Sequence, residues 1–383
     1  MTEENSTLAP LDPSAVKQIK LANGTLVPAA AYGTFHSDWA QDLMYDATLE
    51  AIRIGWRHLD TARAYENEDL VGAAIKEAIK RGYIDSVDEL YITGKLWNGH
   101  MDPKDVAPAV EGTLKDLGIE KIDCYLNHWP WPNVHPPGCT GDQKNPNAVP
   151  YIHEEFMQTW SELLKLKRAG KIVDLGISNH TEASLDLLLR DTSADERPVV
   201  NQMEMHPLFQ QTELRGNFEK NGIATMGYMA LGSPHRPARD NFKEHRNDMA
   251  DPVILEVAKE VGITPGEVCL AWAIQRENSS GGFVAMSTNP ARIRSNLNCA
   301  IKDYLSPEQV LRISGDGSEE NRGICANNRL IWGQVFLWEE AGNDWRVLWD
   351  DSQVFETRAN YEKFKKSWAA HHACQLETTF RKG

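Results

Sequence analysis

The sequence predicts an α/β fold of parallel strands closed into an eight-stranded (β/α)8 barrel, and three observations carry that prediction. Short β-branched runs alternate with amphipathic helical stretches along most of the chain. No GxGxxG stretch follows the first strand, where an open dinucleotide-binding sheet needs its glycines. Polar residues collect at the carboxyl ends of six strands, although parallel strands buried on both faces are ordinarily apolar throughout.

The elements follow in order. After a polar leader, residues 1–17, "IKLANGTLVPA" sets two apolar runs around Asn23-Gly24, a hairpin pattern. Eight strand-like runs then lie at 29–35, 57–60, 89–97, 122–129, 172–179, 198–205, 223–230 and 281–287. "NEDLVGAAIKEAIKRG" repeats apolar residues at Leu70, Val71, Ala74, Ile75 and Ile79, a helical period. "DPKDVAPAVEGTLKDLG" opens on Asp102-Pro103 and stops at Gly118, and "FMQTWSELLKLKRAG" stops at Gly170, as helices do. "DPVILEVAKEVG" and "PARIRSNLNCAIKDY" (290–304) predict two more helices. "GDG" at 315–317 lies past the last strand and lacks a third glycine.

Composition narrows the partners. The 383 residues carry a net charge of −15, and no Lys/Arg-rich block stands out, which argues against a nucleic-acid surface. The acidic leader is unlike a targeting segment, and no apolar run reaches the ~20 residues of a membrane helix. Six cysteines without CxxC spacing read as reduced thiols, so a cytoplasmic protein is expected. His371-His372 near Cys374 is too weak a pattern for a metal site, and none is expected.

In a barrel of this kind the site lies where the strands end. "LDTARAYENE" (59–68) places Asp60, Tyr65 and Glu68 at a strand-to-helix corner. Lys95 follows in the third strand, His128 after the fourth, Ser178 and Asn179 at the end of the fifth, Gln202 in the sixth and Tyr228 in the seventh. Taken singly, Asp60 reads as a helix cap, Lys95 as a solvated strand end, and Tyr65 and His128 as packing. Together they suit carbonyl reduction, in which the developing alkoxide needs a positioned acid. A phenol, with pKa about 10, is a poor acid at neutrality. A close ammonium stabilises its phenolate, a carboxylate keeps that ammonium charged, and a neutral imidazole orients the carbonyl.

These residues resemble the aldo-keto reductase superfamily. "GWRHLDTARAYENEDLVG", "YITGKLW", "CYLNHWP", "GISN", "NQMEMHP" and "GYMALGSP" are similar to its motifs and occur in its order, over roughly residues 18–310. The resemblance implies an NADP-dependent oxidoreductase acting on a small-molecule carbonyl compound. Tyr65 would be the proton donor, with Lys95, Asp60 and His128 completing the catalytic set. Ser178, Asn179 and Gln202 would hold the nicotinamide carboxamide, Tyr228 would stack on its ring, and Gly33, Thr34, Asp60, Leu231, Gly232 and Ser233 would line the cofactor. Ser287, Arg292 and Asn296 would take its far end. Met286 stands where the family carries a lysine for the 2′-phosphate, so NADP is expected and NAD stays open. Trp97, Trp129 and Phe35 would contact substrate, beside a Pro- and Gly-rich loop at 131–151.

The resemblance stops near residue 312, and residues 313–383 read as an extension. "RLIWGQVFLWEEAGNDWRVLWD" predicts a hairpin and "FETRANYEKFKKSWAAHHA" an amphipathic helix, with five of the twelve tryptophans in this segment. Such a ββα piece is expected to pack on the barrel or on a partner chain, as a lid, a brace or a homodimer interface. A specialised biosynthetic carbonyl reductase is expected. A cofactor-binding regulatory protein with little turnover and a non-redox dehydration or cyclisation remain open.

Overall fold

Two backbone hydrogen-bond ladders, one antiparallel and one parallel, account for the expected hairpin and barrel. The computed structural model describes residues 8–35, 42–131, 150–232, 246–276, 281–316, 318, 321, 323–325, 354–364 and 366. Strands β1 (Gln18–Lys20) and β2 (Leu26–Pro28) pair antiparallel around the Asn23-Gly24 turn, with Ile19 opposite Val27. Asn23 also donates to both carboxylate oxygens of Asp174 at 2.9 Å. Ile19, Leu21 and Val27 line one small cavity together with Cys124, Val200 and Ala224, so the hairpin covers the amino end of the barrel.

Eight parallel strands form the closed barrel. They are β3 (Ala30–Gly33), β4 (His58–Asp60), β5 (Tyr91–Leu96), β6 (Ile122–Asn127), β8 (Ile172–Ser178), β9 (Val200–Glu204), β10 (Ala224–Tyr228) and β11 (Gly281–Ala285), with β11 pairing back onto β3. Each falls within a run expected from sequence. Around them lie α1 (Met44–Ile54), α2 (Glu68–Lys80), α3 (Pro103–Leu117), α4 (His153–Arg168), α5 (Glu182–Asp191), α6 (Thr212–Lys220), α7 (Pro252–Val261), α8 (Pro265–Gln275), α9 (Pro290–Asn298) and α10 (Pro307–Ser314). Caps set several boundaries. Asp102 and Asp251 each cap a helix whose first residue is proline, and Gly118 and Gly262 end those helices in the left-handed region. Thr264 and Ser306 open α8 and α10 with reciprocal capping boxes.

One helix is shorter than the sequence predicts. The run 290–304 stops being helical at Asn298. The Gln275 side chain accepts the backbone N–H groups of Tyr304 and Leu305 at 2.9 and 3.1 Å and donates to Leu305 O, drawing that stretch away from the helix axis.

The predicted hairpin of the extension lies outside the described residues, as do the loop 132–149 and the stretch 367–383. The described part of the extension forms β12 (Val354–Phe355), parallel to β7 (Tyr151–Ile152), and is helical at 358–364.

Closure depends on a close backbone approach. Phe283 N–H donates to Ala29 O at 2.9 Å, and a Cβ built on Gly282 would stand 1.8 Å from the same oxygen. Gly282→Ala is expected to destabilise the barrel by at least roughly 2 kcal/mol, because the obstacle is backbone and cannot move aside. Urea unfolding of the variant against the wild type checks it.

Candidate active site at the carboxyl ends of the strands

Lys95 sits one residue from the end of β5 with no exposed surface, and its ammonium organises the site. It is ion-paired to Asp60, the last residue of β4. It also donates to Thr61 O at 3.0 Å and to the Tyr65 hydroxyl at 3.1 Å. Asp60 is fixed from the other side by Gln202, whose amide donates to Oδ2 at 2.6 Å across the barrel. Tyr65 is carried in a short 3-10 turn between β4 and α2, and Asn67 Nδ2 ties that turn to Thr34 O at 2.8 Å.

The protonation states follow from burial and charge. Burial works to lower the Lys95 pKa, but Asp60 and Tyr65 outweigh it, so the net shift is upward and Lys95 is charged at neutrality. Burial raises the Tyr65 phenol above 10.0, Lys95 opposes this, and Asp60 adds to it. The depression expected from the lysine is therefore not reached here, because burial of the phenol, with Asp60 adding to it, outweighs the ammonium. His128 is pushed well below 6.5, chiefly by burial and then by Lys95, and is neutral. Its Nδ1 is buried, with no hydrogen-bond partner among the described residues.

The other expected residues gather on the same rim. Asn179, with φ 64°, donates to His128 O at 3.0 Å and to Ser178 Oγ at 3.1 Å, and accepts from the Tyr228 hydroxyl at 2.7 Å. Ser178 Oγ donates to Gln202 O at 2.7 Å. Aromatic rings surround this set. Phe35 meets Tyr65 edge-on at 5.2 Å, Trp97 meets His128 at 5.5 Å, and Trp129 stacks on His128 at 6.3 Å. Trp131, which sequence reasoning passed over, is buried 5.6 Å from Trp129. The Trp-Pro-Trp spacing was its visible signal.

A second group forms at the start of α9. Ser287 Oγ accepts from Asn289 N–H at 3.1 Å and from Arg292 Nε at 3.2 Å, which leaves the exposed Arg292 over the first turn of the helix. Asn296 is buried one turn further on. Met286 lies beside Gly33, its Cβ 3.8 Å from where a Cβ on that glycine would stand, so the ends of β3 and β11 share one wall. Thr34 binds Asp60 O through both its N–H and its hydroxyl. Leu231 is half-buried, Gly232 takes φ 65°, and Ser233 lies outside the described residues.

The comparisons fall on this geometry. The profile of the aldo/keto reductase family matches residues 21–315. An aldo/keto reductase of Synechocystis is 36% identical over 290 residues, covering 75% of this chain and 85% of its own. The chain belongs to the aldo/keto reductase family. Aldo-keto reductase family 1 member A1 of Bos taurus is 34% identical over 301 residues, covering 78% and 89%. A crystal structure of a Bombyx mori aldo-keto reductase in complex with NADP superposes with a TM-score of 0.69 at 28% identity, covering 82% of this chain and 95% of that one. As a member of the family this chain is an NAD(P)H-dependent oxidoreductase of carbonyl compounds. The residues present fit such a cofactor. Amide and hydroxyl groups crowd the strand ends beside an imidazole nitrogen that has no partner among the described residues, and Arg292 joins the N–H groups of a helix start, a natural anion site.

Behind Tyr228 sits a buried charge cluster that the sequence did not single out. His206 bonds Asp248 at 2.9 Å through Nδ1 and Glu204 at 3.2 Å through Nε2, all three fully buried. Glu204 is the register partner of Tyr228, and the Asp248 carboxylate stands against Gly232. Among the described residues, no group of three or more His, Cys, Asp or Glu is arranged to hold a metal. Burial disfavours charge on His206, but the two carboxylates outweigh it and raise its pKa from 6.5 to about 9. A folded pKa above the unfolded one gives stability that is complete below pH 6.5 and lost as pH rises through 9. Unfolding free energy from urea titrations is expected to fall across that window by about a few kcal/mol, and the step should shrink in Asp248→Asn, where Glu204 alone remains to support the charged ring.

Proposed function

We propose that the chain reduces an aldehyde or ketone to the alcohol with NADPH, and that Tyr65 supplies the proton. The observation that carries this reading is the fully buried Lys95, bonded at once to Asp60 and to the Tyr65 hydroxyl. Bound NADPH supplies the hydride. Tyr65 holds its proton at neutral pH and offers it to the oxygen that gains charge. Lys95 stabilises the phenolate left behind, and Asp60, held by Gln202, keeps the ammonium in place. His128, being neutral, donates a hydrogen bond to the carbonyl without competing for its proton.

Ser178, Asn179 and Gln202 are assigned to the nicotinamide carboxamide and Tyr228 to its face, with Gly33, Thr34, Leu231, Gly232 and Ser233 along the cofactor. Ser287, Arg292 and Asn296 are assigned to its 2′-phosphate end. Phe35, Trp97 and Trp129 favour a hydrophobic carbonyl compound. Met286 removes one cation from the phosphate end, which leaves NADH use within reach. The profile's end at residue 315 supports a division into a barrel of 18–312 and an extension of 313–383. Work in the cytoplasm accords with the buried free thiols Cys124, Cys269 and Cys299. Homodimerisation through the extension rests on its tryptophans, and sedimentation tests it.

Tyr65→Phe is expected to cut turnover of aromatic aldehydes by about 10²–10⁴-fold while leaving NADPH binding near wild type. Tight NADPH binding with no turnover on any carbonyl in the wild type would contradict the reading. Met286→Lys should shift the ratio of NADPH to NADH affinity by roughly tenfold toward NADPH, the scale of one charge-assisted phosphate contact. Fluorescence titration with both nucleotides measures it.

A further inference from the structure

The extension touches the barrel at a place that leads to the site. Strand β12 lies parallel on β7, with Val354 beside Tyr151 and Phe355 beside Ile152. Glu154 N–H donates to Glu356 O at 3.1 Å. Arg358 closes the contact from its own helix. Its guanidinium binds both oxygens of Glu155 at 2.7 Å, and its N–H donates to Glu154 Oε1 at 2.6 Å. Beneath these polar contacts Phe355 and Tyr361 are buried with Ile152, and Phe364 packs on them.

Tyr151 is thereby held twice. Its backbone lies in the β7–β12 pair, and its hydroxyl bonds His153 at 2.8 Å. His153 reaches Asp191 at 2.9 Å, and Arg190 pairs with both Asp191 and Glu356 of the extension. The Tyr151 and His180 rings meet edge to face with centroids 5.7 Å apart, and Phe156 meets His180 likewise at 5.1 Å. His180 is fully buried and directly follows Asn179. Asn179 holds a left-handed backbone, φ 64°, which asparagine tolerates better than other non-glycine residues but which still leans on its surroundings. Those surroundings are His128 O, the Tyr228 hydroxyl and Gln202 O, which accepts the Asn179 N–H at 3.0 Å. The next residue along the chain is His180, whose ring is packed by Tyr151 and Phe156.

We propose that residues 354–364 are a clamp that positions Asn179 for cofactor binding, acting through Tyr151 and His180. This rests on the reading of Asn179 as a nicotinamide ligand. The family profile ends at residue 315, so the clamp comes from a part of the chain that the profile does not span. Arg358 and Glu155 are partly exposed, and an ion pair of that kind contributes little stability by itself. Its role is geometric: it fixes the register of β12 on β7. Loosening it lets the Tyr151–His180 packing next to Asn179 relax and weakens ground-state binding of the cofactor, which raises KM without lowering kcat.

The test uses the full chain carrying Arg358→Glu, which faces Glu154 and Glu155 with a like charge, and the exchange Arg358→Glu with Glu155→Arg. Phe355→Ala serves as a milder companion should the first variant fold poorly. Amide hydrogen exchange at 177–180 should quicken in Arg358→Glu, and the NADPH Kd and KM should rise about fivefold with kcat within twofold. The charge exchange should return both toward wild type. Unchanged exchange at 177–180, or faster exchange with an unchanged Kd, overturns the clamp and leaves the extension a passive brace. A wild-type chain that binds no NADPH sinks the functional reading instead, a result separate from either of these.

Discussion

A single ammonium with no exposed surface constrains the whole carboxyl end of this barrel. Moving a lysine charge out of water is tolerated only where opposite charge and hydrogen bonds replace its hydration. Lys95 finds these in Asp60, Thr61 O and the Tyr65 hydroxyl, so three consecutive features of the β4–α2 corner are committed to one side chain. Asp60 in turn needs its second oxygen satisfied, and Gln202 reaches it from β9. The ion pair therefore fixes the relative heights of β4, β5 and β9, and with them the groups on their ends. The parallel registers Asp60 with Thr93 and Ser178 with Gln202 are the backbone side of the same arrangement.

Charge at the site is concentrated on that pair, while the groups facing the pocket are neutral. Burial keeps the Tyr65 phenol protonated and His128 uncharged, and the aromatic rings of Phe35, Trp97 and Trp129 stand against them. In such a setting the proton moves only when the substrate oxygen becomes basic enough to take it, as negative charge develops there, and the ammonium that stabilises the phenolate is already in place. The upward shift of Tyr65 in the free protein is thus consistent with its proposed role: the proton is retained until there is an oxygen to receive it.

Most of the barrel was legible because its strands are β-branched and its helices carry polar outer faces. Helices α1, α5 and α10 were not singled out, and α8 could not be, since Val268 to Ile274 are all buried and no polar face marks a period. The short, polar α6 offers only Phe218 to the core and leaves a similarly faint trace. The end of α9 escaped sequence reasoning because Gln275, fifteen residues before α9 begins, captures the backbone of Tyr304 and Leu305. At the site, Asp60, Tyr65, Lys95 and His128 were legible as a set, because they fall at or just past the ends of successive strands, although each alone had an ordinary structural reading. The Glu204–His206–Asp248 cluster was not, because its third member comes from a segment 42 residues away from the histidine. The phenol's net shift was likewise illegible, since it is the difference between burial and two opposed charges.

The most direct test of this account is the titration of Tyr65 itself, followed by ¹³Cζ tyrosine NMR in the free protein and in Lys95→Met. The account predicts a pKa above 10.0 in the wild type, and a higher one in the variant, because the ammonium that opposes burial is gone. An unchanged or lower pKa in Lys95→Met would show that the lysine does not act on the phenol, and the assignment of Tyr65 as a lysine-tuned proton donor would fall.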